Sequence, residues 1–329
     1  MNRHSNIDVP DGSPGKFQHP DITAKGEQRA HVGLKALETL WFNTGTLCNI
    51  TCRNCYIESS PTNDRLEYLT LAEVEAFLDE VAALGLATRE IGFTGGEPFM
   101  NPDFNAMLRL TLERGFEALV LTNAMQPMQR RGVSAGLLAI RRAHGAKLTV
   151  RVSLDHHTRG LHEEERGEGT FDKALEGIDW LCANGFNVTI AGRTCWGESE
   201  AEARAGFAAL FQRRGWRIDA AHPASLVLFP EMDEKADVPE ITVDCWGILH
   251  KSPDDVMCAS SRMVVKRKGD ATPTVLPCTL LPYDRDFGMG ATLAEAARAD
   301  GLMFDDGAVK LCHPHCAKFC VLGGASCSV

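Results

Sequence analysis

The 329-residue sequence has no apolar run long enough to span a bilayer. Its opening, "MNRHSNIDVPDGSPGKFQHPDITAKGEQ", lacks the apolar stretch of a secretory signal. Both absences point to a cytoplasmic protein with no membrane partner. No basic tract is present and the formal net charge is -10, so the clustered Lys and Arg that bind nucleic-acid phosphates are missing. Internal repeats and low-complexity tracts are also absent. The glycine pair in "GFTGGEPFMNP" has no following Lys, which excludes a P-loop.

What is present is a 44% apolar chain, ample for a sizeable core, with twelve cysteines. In a reducing compartment dense cysteine points to metal or redox chemistry rather than disulfides. Cys48, Cys52 and Cys55 form one loop; Cys258, Cys278, Cys312, Cys316, Cys320 and Cys327 crowd the last quarter; Cys182, Cys195 and Cys245 lie scattered, as small buried hydrophobes do. The first loop, "LCNITCRNCYIESS", has no fourth cysteine or histidine nearby, whereas a closed zinc site needs four ligands. Three thiolates suit a four-iron cluster with one iron left open. An incomplete zinc site or a redox thiol group is the competing reading.

Strand and helix alternate from residue 37 onward. "ETLWFNTG" reads as a strand, and Thr70 with Glu73 forms a capping box for the helix "LAEVEAFLDEVAAL", which stops at Gly85. Strands "REIGFT", "EALVLT", "KLTVRVSLD", "FNVTIAGR" and "ASLVLF" follow, separated by helices behind Pro102, around "SAGLLAIRRAHG", behind Thr170 and over "SEAEARAGFAALFQRRG". Six such units imply a parallel sheet, open or curled into a barrel, with functional groups at the carboxyl ends of the strands. The cysteine loop, "TGGEP", "TN" and "SLD" stand at four of those ends. Residues 1–36, without apolar periodicity, read as an irregular, mobile N-terminal arm. Near the other end, "RMVV", the turn "KGD" and "PTVL" read as a hairpin with Cys258 and Cys278 at its two ends.

A strand, then CxxxCxxC, a helix, a second strand and GGEP resembles the radical S-adenosylmethionine (radical SAM) enzymes. The resemblance covers about residues 38–230. It implies an α/β fold: a partial (β/α)6 barrel over residues 37–240, followed by a small cysteine-rich domain over 241–329. Cys48, Cys52 and Cys55 would hold a [4Fe-4S] cluster whose open iron is chelated by S-adenosylmethionine, and reductive cleavage would give a 5'-deoxyadenosyl radical that abstracts hydrogen. Gly95, Gly96 and Glu97 would face the methionine ammonium and Ser153 its carboxylate, with Asn123 and Arg193 as further cofactor-binding candidates. An aromatic residue often precedes the third cysteine in that family; here Asn54 does, and Tyr56 follows it.

The last quarter is similar to the auxiliary-cluster extensions called SPASM and twitch, although six cysteines fall short of the full SPASM number. The resemblance implies one or two auxiliary iron-sulfur clusters; structural zinc joined by His313 or His315 is the alternative. His156 and His157 are left as substrate-facing or merely solvated. The expected substrate is a small molecule or a short peptide, since 36 irregular residues are too few for a leader-binding domain, with a peptide or protein maturase as the second reading. The electron donor would be a flavodoxin or ferredoxin. An electron carrier without radical chemistry is the reading from another class, and "TGGEP" argues against it because a carrier has no use for an amino-acid pocket.

Overall fold

The computed structural model describes residues 15–230 and 237–323. A central eight-stranded sheet dominates it. In chain order the strands are β1 (His31–Val32), β2 (Thr39–Asn43), β3 (Glu90–Thr94), β4 (Glu117–Thr122), β5 (Leu148–Ser153), β6 (Asn187–Arg193), β7 (Leu226–Phe229), β8 (Ser261–Val265), β9 (Thr274–Leu276), β10 (Phe304–Asp305) and β11 (Ala308–Lys310). The large sheet runs β7-β6-β5-β4-β3-β2-β8-β9, with β2 to β7 all parallel. These six strands are the six expected, and the parallel α/β architecture holds.

Crossover helices separate them: α1 (Leu71–Ala83), α2 (Phe104–Glu113), the short α3 (Gln126–Gln129), α4 (Arg131–His144), α5 (Arg159–Arg166), α6 (Thr170–Ala183) and α7 (Glu200–Arg214). The Thr70–Glu73 capping box opens α1 as expected, and a second box, Ser199 with Glu202, opens α7. For α6 the cap differs from expectation. Thr170 is already helical and left-handed Gly169 precedes it, because the Thr170 hydroxyl donates to the Gly167 carbonyl instead of capping the helix. The strands are apolar on both faces, as parallel strands covered by helices must be; Trp41, Phe42 and Phe93 are fully buried.

Two departures involve pairings distant in sequence. The expected hairpin forms, with Met263 opposite Leu276 and Val265 opposite Thr274, and β8 also pairs in parallel with β2, Thr39 opposite Ser261. The cysteine-bearing hairpin thus extends the barrel sheet. The mobile arm is corrected for residues 15–36, which are packed. β1 pairs with β11, and the buried Arg29 guanidinium meets Glu240 at 2.6 Å while donating to the carbonyls of His19, Ile22 and Leu311. The segment is polar because some of its polar groups satisfy partners more than 200 residues away, Glu240 and Leu311 for Arg29, an order that local periodicity cannot reveal. The first 14 residues of that expected arm lie outside the described residues. No helix among those described is long and apolar enough to cross a membrane.

Candidate active site

Strand ends build one cavity. Cys48, Cys52, Cys55 and Tyr56 come from the loop after β2; Thr94, Gly95 and Gly96 from the end of β3; Thr122 and Asn123 from β4; Ser153 and Asp155 from β5; and Ala191 and Arg193 from β6. Phe229 at the end of β7 closes one side with Leu280 and Phe319, and the Phe229 and Phe319 rings stack 5.8 Å apart. Eight of the nine residues expected around the first cluster and its cofactor therefore line one space.

Glu97 is the ninth, and it faces elsewhere. Its carboxylate accepts from the Thr122 hydroxyl at 2.8 and 3.0 Å and from the backbone N–H groups of Asn123 at 2.9 Å and Phe99 at 3.2 Å. Burial pushes its pKa up to about 7 against these hydrogen bonds. It ties β3 to β4 and sets the position of Asn123. The glycine pair also has a structural reason. A Cβ on Gly95, whose φ is +139°, would lie 2.5 Å from the Gly45 carbonyl oxygen, and one on Gly96 would lie 2.2 Å from that of Leu47. Gly96 and Glu97 donate backbone N–H bonds to these carbonyls, so the pair admits the cysteine loop itself.

One group that the sequence did not single out completes the wall, and a second, Glu165, braces the cysteine loop behind it. Arg166, the last residue of α5, lines the cavity, grips Asp155 at 2.6 and 3.1 Å, and lays its charge on Cys52 and Cys48. Arg193 approaches the same Asp155 at 3.4 Å. Burial raises the Asp155 pKa, but the two guanidiniums outweigh it and hold the carboxyl below its ordinary value. Buried Glu165 clamps Asn54 through its backbone N–H and its side-chain amide, both at 2.8 Å. Asn54 is thus absorbed in anchoring the loop, and the aromatic side chain that this loop brings to the cavity wall is Tyr56. Helix α5, "RGLHEEER", has a single large apolar residue, Leu161, too little for an apolar stripe; an Arg shortly after a strand-end "SLD" was the only local clue.

His156 and His157 stand close, ring centroids 4.0 Å apart, with Glu198 2.8 Å from Nε2 of His156. The Thr158 N–H donates to Nδ1 of His156, which leaves Nε2 as the protonated nitrogen, donating to Glu198. The His156 lone pair is therefore committed, and neither histidine lines the cavity.

At the other end of the chain Cys258, Cys278, Cys312 and Cys316 are all buried. Burial and the closeness of Cys278, Cys258 and Cys312 hold the Cys316 thiol well above its ordinary value, and burial pushes Cys258 to about 11. Burial likewise pushes Cys48 to about 12. Such thiols are protonated at neutral pH unless a metal displaces the proton. Cys320 is partly exposed, and Cys327 lies outside the described residues. In tetrahedral zinc the sulfurs stand about 3.8 Å apart, given bonds of about 2.3 Å. Among the described residues, the one set of three or more such ligand atoms within 4.8 Å of one another is His156, His157 and Glu198. The donor sets of both cysteine groups fit iron-sulfur clusters.

Residues 42–204 match the model of the Radical SAM superfamily. The chain is 30% identical over 171 residues to AlbA of Bacillus subtilis, an antilisterial bacteriocin subtilosin biosynthesis protein, covering 52% of this chain and 35% of AlbA. It spans about a third of the length of that relative. Its fold is similar to Streptococcus suis SuiB bound to the precursor peptide SuiA, with TM-score 0.58 at 12% identity, covering 82% of this chain and 66% of SuiB. It is similar also to anSMEcpe with bound AdoMet, with TM-score 0.57 at 15% identity and 80% of each chain covered.

Proposed function

We propose, because residues 42–204 match the Radical SAM superfamily model, that this chain cleaves S-adenosylmethionine reductively beside the Cys48, Cys52, Cys55 loop and takes hydrogen from a substrate held beneath its C-terminal segment. The carrying observation is a single cavity lined at once by those three cysteines, by a set of polar strand ends, and by Leu280 and Phe319 of the last quarter. When bound, a [4Fe-4S] cluster supplies the electron that breaks the sulfonium. The three cysteines would hold it and leave one iron for the cofactor's amino-acid end. Arg166, Arg193, Ser153 and Asn123 are the groups suited to the cofactor carboxylate, since a guanidinium offers it a paired, charge-assisted grip. Backbone carbonyls at the end of β3 suit the ammonium, given that the Glu97 side chain is engaged with β4. Phe229 and Phe319 keep water from the reacting carbon.

Cys258, Cys278, Cys312 and Cys316 would hold one auxiliary cluster, with Cys320 and Cys327 left for a second. The chain then divides into a radical-generating module over 37–240 and an auxiliary module over 241–329, fed by a flavodoxin or ferredoxin. A peptide segment is the substrate class we favour, because AlbA and SuiB, to which this chain is similar, are tied by name to a bacteriocin and a precursor peptide.

Anaerobically reconstituted protein with dithionite and S-adenosylmethionine should release 5'-deoxyadenosine. Arg166→Met should weaken cofactor binding at least tenfold, about 1.4 kcal/mol, by calorimetry. Replacing Cys258 and Cys278 together should remove about four irons while slow cofactor cleavage persists. Unchanged iron would discard these two as ligands. Loss of all cleavage in a folded variant would refute the two modules. Stimulation of 5'-deoxyadenosine release by peptides rather than by small metabolites decides the substrate class.

A further inference from the structure

Arg262 is carried by β8, between the hairpin's first cysteine and its turn. Its side chain is inside the protein, the residue being 2% exposed. Nη1 donates to the carbonyls of Cys258 at 2.6 Å and Ser261 at 2.8 Å, and Nη2 to that of Gly307 at 3.5 Å. Buried Arg29 pairs with Glu240 and cavity-lining Arg166 with Asp155. Arg262 has no such carboxylate among the described residues, and the ionisable groups its charge acts on are Cys258 and Cys278.

A guanidinium keeps its proton at any working pH. Burying that charge with only carbonyl dipoles around it is costly unless an anion completes the site. As neutral thiols the nearby cysteines are poor partners. As four thiolates around a four-iron core they carry excess negative charge, which grows by one unit when the centre takes an electron. We propose that Arg262 is the built-in counter-ion of the C-terminal iron-sulfur centre, a positioning residue that raises that centre's reduction potential; the claim rests on the reading of Cys258, Cys278, Cys312 and Cys316 as its ligands. Two features fix the charge in place. Pairing of β8 with β2 holds the backbone, and the bond to the Cys258 carbonyl locks the guanidinium over the ligand loop. A fixed positive charge stabilises the more negative, reduced form and so favours electron uptake.

The test uses the full chain with Cys48, Cys52 and Cys55 replaced by Ala, so that only C-terminal iron remains after anaerobic reconstitution. Redox titration followed by EPR compares this parent with the same chain carrying Arg262→Met or Arg262→Lys. The neutral variant should shift the reduction equilibrium at least tenfold toward the oxidised form, about 59 mV lower for one electron. Arg262→Lys, which keeps the charge, should remain within threefold of the parent. In metal-free protein Arg262→Met should raise the melting temperature, because an unpaired buried charge is gone, whereas a purely structural arginine would lower it. A wild-type or raised potential with full iron overturns the proposal. So does a lower melting temperature of the metal-free variant. Should neither variant load iron, that melting temperature decides, and failure of Met alone to load supports the counter-ion role. If the parent itself holds no iron, the ligand assignment falls first, a result separate from any effect of Arg262.

Discussion

Glu97 and His162 are buried titratable side chains with opposite pH signatures. Burial raises Glu97 from 4.5 to about 7, so the folded state holds the proton more tightly than the unfolded chain. Its contribution to stability is therefore present below about pH 4.5 and falls as pH rises to about 7. Burial, with Arg166 beside it, lowers His162 from 6.5 to about 4, and both its ring nitrogens lack hydrogen-bond partners. Its contribution is present above about pH 6.5 and is lost as pH falls to about 4. Each swing is at most about 3 kcal/mol, so the two oppose each other across one window. In urea unfolding of metal-free protein, His162→Phe should gain on wild type as pH falls from 6.5 to 4, and Glu97→Gln should gain as pH rises from 4.5 to 7. A difference that stays flat with pH in either variant refutes that assignment. The cysteines, the glycine pair and the strand-end Ser153 and Asn123 were legible at this scale because short motifs place them. The partner of Glu97 and the presence of Arg166 were not, since each depends on a neighbour from another strand or helix.

Among the elements, β2 and β3 meet where Trp41 lies opposite Gly92. A Cβ on Gly92 would come 2.4 Å from the indole, which is fully buried and cannot retreat. Gly92→Ala should therefore cost about 1–3 kcal/mol by overpacking, measured by chemical denaturation; a stable variant would mean that the sheet yields more easily than its packing implies. The six strands and most helices could be read from the sequence because apolar runs and capping boxes are local signals. Helix α5 could not, because it has no apolar stripe and is held by ion pairs such as Arg166 with Asp155. The hairpin was legible from its turn, but its pairing with β2 was hidden, since parallel neighbours leave no mark on each other's sequence.

At the scale of the whole molecule, Arg29 and Glu240 tie the N-terminal segment to the rest. Glu240 also accepts the backbone N–H groups of Phe17 and Ala24. Removing one partner strands a buried charge, so Glu240→Ala should cost about 3–5 kcal/mol and expose residues 15–36 to limited proteolysis. Cys312, whose thiol donates to the carbonyls of Phe17 and His19, should become more reactive toward alkylating reagents in the same variant. Unaltered cleavage and reactivity would contradict that coupling. The union of β2 with β8 bears on biosynthesis. On the ribosome, β2 can gain β3 early, yet its other edge stays open until more than 200 further residues have emerged. Throughout that interval the nascent barrel presents an unpaired apolar strand, the kind of edge that recruits stray chains. Closure of the barrel edge and delivery of Cys258 and Cys278 are then one late event, so any metal those two cysteines take up follows, rather than accompanies, the folding of strands β2 to β7.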